Sequence, residues 1–176
     1  MRLFIAITLE SAIKDRLCTM AKALAESSLS GSFTRRENMH LTLAFIGETT
    51  RLSAVKAAVD SVVAPPFSLM IGGIGRFRRN DGDIWWTGVR KDPTLLDVYR
   101  QLRASLTERG FRIDEKEYTP HLTLGRRIRL RPDFDRAAFA SRIPVLEMPV
   151  HKISLMKSEF VGGRVSYTEL YAKALG

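Results

Sequence analysis

Residues 39–47 read MHLTLAFIG and residues 120–127 read PHLTLGRR. Each is a short run of apolar and β-branched residues, and each predicts a strand. Side chains alternate along a strand, so His40 and Thr42 share one face while Leu41 and Leu43 share the other. His121 and Thr123 stand in the same relation to Leu122 and Leu124. Each motif therefore offers an imidazole and a hydroxyl to one side and buries leucines on the other. The chain has three histidines, and two of them occupy this identical frame. His151 has Ile153 where a threonine would be needed, so it reads as a structural or surface residue.

Working outward, the elements around the two motifs repeat. Leu3, Ile5, Ile7 and Leu9 alternate as in a strand. Ser11 can cap a helix that buries Ile13, Leu17, Met20 and Leu24, and residues 27–31 read as a loop. After the first motif, Thr50 opens a helix carrying Leu52, Val55, Val59 and Val62, which Pro65-Pro66 ends. Strands follow at 67–74 and 84–89, separated by the turn-prone Asn80-Asp81-Gly82. Asp92-Pro93 is a cap followed by proline at the first helical position. The helix it starts carries Leu95, Tyr99, Leu102 and Leu106, and Gly110 ends it. The second motif strand is followed by a short helix near 133–141, then strands around 145–156 and 166–172. This is a crude internal repeat. The expected fold is α+β: two similar, pseudo-symmetric lobes of antiparallel sheet with helices outside. A single bilobal domain over 1–176 would place the paired motif strands at a central cleft.

Composition limits the function classes. The chain has 176 residues, 45% hydrophobic and 27% charged, ordinary values for a globular protein with a real core. The opening MRLFIAITL stops at Glu10 with no small-residue cleavage site, so it reads as a strand and not a signal peptide. No later stretch approaches the roughly 18 apolar residues of a membrane span. A single cysteine, Cys18, forms no internal disulfide and suits a reducing, cytoplasmic setting; its place in a helical pattern marks it as a small core residue. Nothing in the sequence suggests more than a monomer. The net charge is +9, and arginines cluster at 35–36, at 76, 78 and 79, and at 126, 127, 129 and 131. Guanidinium groups suit bidentate phosphate contacts, and a basic rim points to an anionic partner, most commonly nucleic acid.

A histidine pair suits phosphate chemistry. Imidazole titrates near neutral pH, so two of them can hold one neutral and one protonated ring, a base and an acid. The threonine hydroxyls can donate to non-bridging phosphate oxygens whose charge must be held through the transition state. No cysteine pair, His-x-x-x-His or carboxylate at ligand spacing accompanies the histidines, so neither a metal nor any other cofactor is expected. Arg126 and Arg127 are candidate phosphate contacts. Regular alternation from His121 would put Arg127 on the catalytic face, whereas a break or bulge at Gly125 would put Arg126 there. Phe45 and Trp85 are candidate base-stacking residues, although alternation places Phe45 with the leucines of its strand.

The paired motifs resemble the two-histidine phosphoesterase superfamily, with its two His-x-Thr/Ser-x strands. RLFIAI at 2–7, HLTLAFIG, the Trp-Trp-x-Gly-Val stretch at 85–89, YTPHLTL at 118–124 and ISLMKSE at 153–159 with Tyr167 narrow the likeness. Together they resemble the RNA 2′,3′-cyclic phosphodiesterases, also called 2′-5′ RNA ligases. The resemblance covers essentially the whole chain. It implies His40, Thr42, His121 and Thr123 as the catalytic set, with Arg126 on the phosphate. It further implies His40 as the general acid and His121 as the base, a point on which the sequence itself is symmetric. The implied activity is metal-independent hydrolysis of an RNA terminal 2′,3′-cyclic phosphate to a 2′-phosphate. Run backwards, the same chemistry would join that end to a 5′-hydroxyl without ATP. A phosphodiesterase for small cyclic phosphates, or an RNA-binding module without chemistry, are the alternatives.

Overall fold

A computed structural model describes all 176 residues. Along the chain come β1 (Arg2–Thr8), α1 (Ser11–Glu26), β2 (Ser28–Phe33), β3 (His40–Glu48), α2 (Leu52–Asp60), β4 (Phe67–Phe77) and β5 (Asp83–Val89). They are followed by α3 (Pro93–Glu108), β6 (His121–Leu130), α4 (Arg136–Ser141), β7 (Leu146–Val150), β8 (Lys152–Val161) and β9 (Arg164–Ala174). All strand pairs are antiparallel, in one sheet of order β3-β1-β8-β9 and another of order β2-β6-β5-β4-β7. The fold is thus α+β, two antiparallel sheets with four helices.

The helices form where local chemistry starts and stops them. Asp92 accepts from the Thr94 and Leu95 amides, satisfying donors that the first turn of α3 leaves open. Gly110, at φ 80°, lies just past its end, in the left-handed region where glycine carries no steric penalty. The buried stripe of α3 is Leu95, Val98, Leu102, Ser105 and Leu106; Tyr99 instead stacks on Tyr118 with centroids 4.1 Å apart. In α1, Glu10 holds the cap position without a side-chain bond, and Ser11 is the first helical residue. Cys18 is half-buried and packs at the edge of the core.

Chain order and spatial order differ in a way that ties the lobes together. β2 precedes the first motif but pairs with β6 of the second, and β8 returns from the second unit to pair with β1 of the first. The helices cross as well, α1 lying against β2 and β6 while α3 lies against β3. Each motif strand therefore buries its leucines beneath the other unit's helix. One cluster of 35 buried residues runs through both sheets, with Leu41, Leu43, Leu122 and Leu124 inside it. On the far side of β1, Phe4 and Ala6 form a smaller cluster with Met156, packed against Tyr167. β1 is therefore buried on both faces, not on the one that its Leu3-Ile5-Ile7 alternation marks.

β2 replaces the expected loop at 27–31. Its Ser-Leu-Ser-Gly-Ser sequence is mostly exposed and has neither apolar alternation nor β-branched residues. Its strand state comes from pairing with β6, a tertiary contact with no local signal.

Candidate active site

His40 opens β3 and His121 opens β6, and both line one cavity of about 640 Å³ together with Thr42 and Thr123. The imidazoles are held in the same way. His40 Nδ1 lies 2.7 Å from the Asn38 carbonyl, and His121 Nδ1 lies 2.7 Å from the Thr119 carbonyl. A carbonyl only accepts, so each Nδ1 carries the hydrogen and each Nε2 keeps its lone pair. The His40 Nε2 lies 3.0 Å from the Thr42 hydroxyl, which donates to it while the ring is neutral. Tyr118, three residues before His121, donates across the lobes to the Thr42 carbonyl at 2.9 Å.

Each imidazole also packs against a pair of aromatic rings that are themselves in contact. Phe4 and Tyr167 lie against His40 at centroid distances of 4.9 and 5.2 Å. Phe77 and Trp86 lie against His121 at 5.0 and 5.7 Å. Trp86 lies over Gly75, its partner across the β4–β5 pair, and a Cβ built on Gly75 would meet the indole at 2.2 Å. Gly75 is present because the ring occupies the space above it. Burial pushes both imidazoles below their ordinary value of 6.5. The carbonyl bonds at Nδ1 oppose this, and the Arg126 charge lowers both further; His121 and Lys14 add to the lowering at His40. The pair is therefore biased toward neutral, and an anion, by offsetting Arg126, would bring protonation of one ring back within reach.

A β-bulge at the same place in both motifs decides which residues join the histidines. Ala6 pairs with Thr42 but Ile5 pairs with Ala44, leaving Leu43 as the extra residue of β3. Trp86 pairs with Thr123 but Trp85 pairs with Gly125, leaving Leu124 as the extra residue of β6. Two consecutive residues then face inward, and alternation resumes in the opposite phase. Phe45 and Arg126, at equal offsets from their histidines, are thereby turned onto the cavity wall. Simple alternation placed Phe45 with the leucines. It is instead 62% exposed, on the histidine side.

Two candidates are corrected. Arg127 is turned aside by a left-handed φ of 54° and pairs with Asp81 at 3.4 Å; it does not line the cavity. Trp85 is only 2% exposed, packed in the core against Phe134 with Arg76 and Arg136 over its ring, and cannot stack a base. Its neighbour Trp86 has the opposite parity and is the one beside His121. His151 is exposed.

The cavity also contains residues that sequence reasoning did not single out for the site: Asn38, Phe160, Arg164 and Val165. Arg35, noted only as part of a basic cluster, lines it too. No local signal marked them: Phe160, Arg164 and Val165 are brought in by the β8–β9 hairpin, and Arg35 and Asn38 by the turn that leads into β3. The lining contains three arginines and two histidines but no carboxylate, and nowhere do three His, Cys, Asp or Glu side chains converge. The arrangement offers acid–base groups, hydroxyl donors and guanidinium charge to an anion.

Known proteins share this architecture. The solved structure of Escherichia coli LigT complexed with 3′-AMP superposes with a TM-score of 0.81 at 27% identity, over 99% of this chain and 97% of that one. The protein TT0787 of Thermus thermophilus gives 0.79 at 26% identity, over 99% and 97%. The Thermotoga maritima protein named RNA 2′,3′-cyclic phosphodiesterase is 30% identical over 177 residues, 97% of this chain and 94% of its own length. The Escherichia coli protein of that name is 29% identical over 181 residues, 99% and 96%. The pattern of the 2′-5′ RNA ligase superfamily matches residues 13–160. The chain belongs to the 2′-5′ RNA ligase superfamily.

Proposed function

We propose that this chain is an RNA 2′,3′-cyclic phosphodiesterase that opens the cyclic phosphate at an RNA 3′ end to a 2′-phosphate. His40, His121, Thr42 and Thr123 act on one phosphate, and Arg126 neutralises it. The observation that carries this reading is the matched tethering of the two imidazoles at Nδ1, which leaves both Nε2 poles to one carboxylate-free cavity. The names of the relatives support the same substrate class.

In this mechanism the phosphate enters between the rings, and its charge favours a single proton on the pair. His121 removes a proton from water as the water oxygen bonds to phosphorus. The bond from phosphorus to the ribose 3′-oxygen breaks, and His40 supplies the proton that oxygen takes up, leaving a 2′-phosphate and a 3′-hydroxyl. Thr42 and Thr123 donate to the non-bridging oxygens, and Arg126 holds their charge. Phe45, exposed on the wall, offers a face to the terminal base. Reversal, with a 5′-hydroxyl in place of water, forms a 2′-5′ linkage without ATP, in keeping with the superfamily's description. The protein works as a monomeric, single bilobal unit in the cytoplasm; no helix is long and apolar enough to cross a membrane.

The test is incubation of an RNA ending in 2′,3′-cyclic phosphate with the protein in EDTA, with the product read by phosphorus NMR. The expected product carries a 2′-monophosphate. A 3′-phosphate, or turnover that appears only when zinc or magnesium is added, overturns the proposal.

A further inference from the structure

The cavity is larger than one phosphate requires. Its volume of about 640 Å³ falls among pockets that enclose whole small molecules, roughly 300–1,000 Å³. The wall away from the histidines is made by Arg35, Phe160, Gly163, Arg164 and Val165, none of them in a motif strand. The two guanidiniums on this wall are not equivalent. Arg35 is engaged with the Val165 carbonyl and with Glu37 at 3.0 Å. The Arg164 side chain has neither a carboxylate nor a carbonyl partner and is exposed; Glu37, which borders an adjoining pocket with it, is paired with Arg35. An unpaired guanidinium in such a setting seeks an anion.

Its position is not left to a mobile loop. Val161 and Arg164 pair across β8 and β9, so Gly162 and Gly163 are the whole turn, with φ of 58° and 76°. Two positive φ values in a two-residue hairpin match the twist of the strands and fix their ends. Phe160, 77% exposed, borders the same cavity, but it pairs across the hairpin with Val165, so its ring lies on the other face of the hairpin from the Arg164 side chain.

The chemistry of an RNA end supplies the missing anion. A nucleoside 2′,3′-cyclic phosphate has one anionic group, whereas an RNA terminus also carries the phosphodiester on the 5′ side of the same nucleoside. We propose that Arg164 forms a second subsite for that 5′-side phosphate, so that the site selects an RNA end over a free nucleoside cyclic phosphate. This rests on the reading of the histidine end as the cyclic-phosphate site.

The experiment compares adenosine 2′,3′-cyclic phosphate with the same compound phosphorylated at its 5′ position. In parallel, calorimetry compares adenosine 2′,5′-bisphosphate with the 2′-monophosphate. Wild-type protein should favour the 5′-phosphorylated member of each pair by about three- to tenfold at low salt, less at high salt. Arg164→Gln should bring both ratios toward one, while Arg100→Gln, which removes an exposed charge on α3, should keep them. Equal kcat/KM for the two cyclic phosphates, or a preference that survives Arg164→Gln, overturns the subsite and leaves the hydrolase reading intact. Tighter bisphosphate binding that depends on Arg164, with no turnover of either cyclic phosphate, upholds the subsite and overturns the hydrolase.

Discussion

Replacing Gly75 with alanine tests whether the rings around His121 position it. Gly75 is buried, and its backbone lies outside the left-handed region, so alanine meets no conformational penalty there; the constraint is space alone. The added Cβ would lie 2.2, 2.4 and 2.6 Å from Cη2, Cζ2 and Cζ3 of Trp86. Carbon atoms rest at about 3.5 Å or more, so the indole must retreat by about 1.3 Å. It has little room, with Phe77 at 5.4 Å and His121 at 5.7 Å between centroids. Overpacking of this kind costs about 1–3 kcal/mol in stability, and an ångström-scale displacement of a reacting group costs on the order of 10² in rate. Gly75→Ala should therefore fold with a lowered Tm and lose about that factor in kcat on a cyclic phosphate. Gly75→Ala combined with Trp86→Leu, which frees the space, should recover part of the Tm. Wild-type kcat in Gly75→Ala, or no recovery of Tm in the double variant, refutes the steric argument.

The remaining expectations concern the two motifs. Tyr118→Phe removes one hydroxyl bond to the Thr42 carbonyl, so kcat should fall about three- to tenfold with KM nearly constant; an unchanged kcat means the cross-lobe bond does not position the first motif. Burial holds both imidazoles below their ordinary value, and the Arg126 charge lowers them further. Its removal favours the imidazolium, so the acid limb of kcat/KM in Arg126→Gln should move to higher pH, alongside weaker phosphate binding. A limb that stays in place shows that burial alone sets the pair. A substrate with sulfur at the bridging 3′ position separates the roles, because a thiolate leaves without a proton. His40→Ala should recover much of its lost rate on it and His121→Ala should not; the reverse result exchanges acid and base.

Much of this site was legible because the two motifs carry their information locally. A period-two pattern puts His and Thr on one face wherever the strand lies, and finding that pattern twice implies two strands at one ligand. The Asp92-Pro93 start of α3 was equally local. What escaped depends on partners. Trp85 and Trp86 are chemically alike, and only the register of β5 on β6, with Trp86 opposite Thr123, decides which of them turns toward His121. The bulges at Leu43 and Leu124 bring in Phe45 and Arg126, and a left-handed residue turns Arg127 away. β2 has no pattern because an exposed edge strand buries little. Arg164 and Phe160 lie far along the chain from either motif and reach the cavity only because β8 crosses to pair with β1.

The central claim is that His40 and His121 work as one unit on one phosphate, and a double-mutant cycle measures that directly. Single-turnover rates on an RNA ending in 2′,3′-cyclic phosphate would be taken for wild type, His40→Ala, His121→Ala and the double variant. Each single change should cost on the order of 10²–10⁴, and the double should cost far less than the product of the two. Near-wild-type turnover in either single variant, or a double variant whose loss equals that product, contradicts the account.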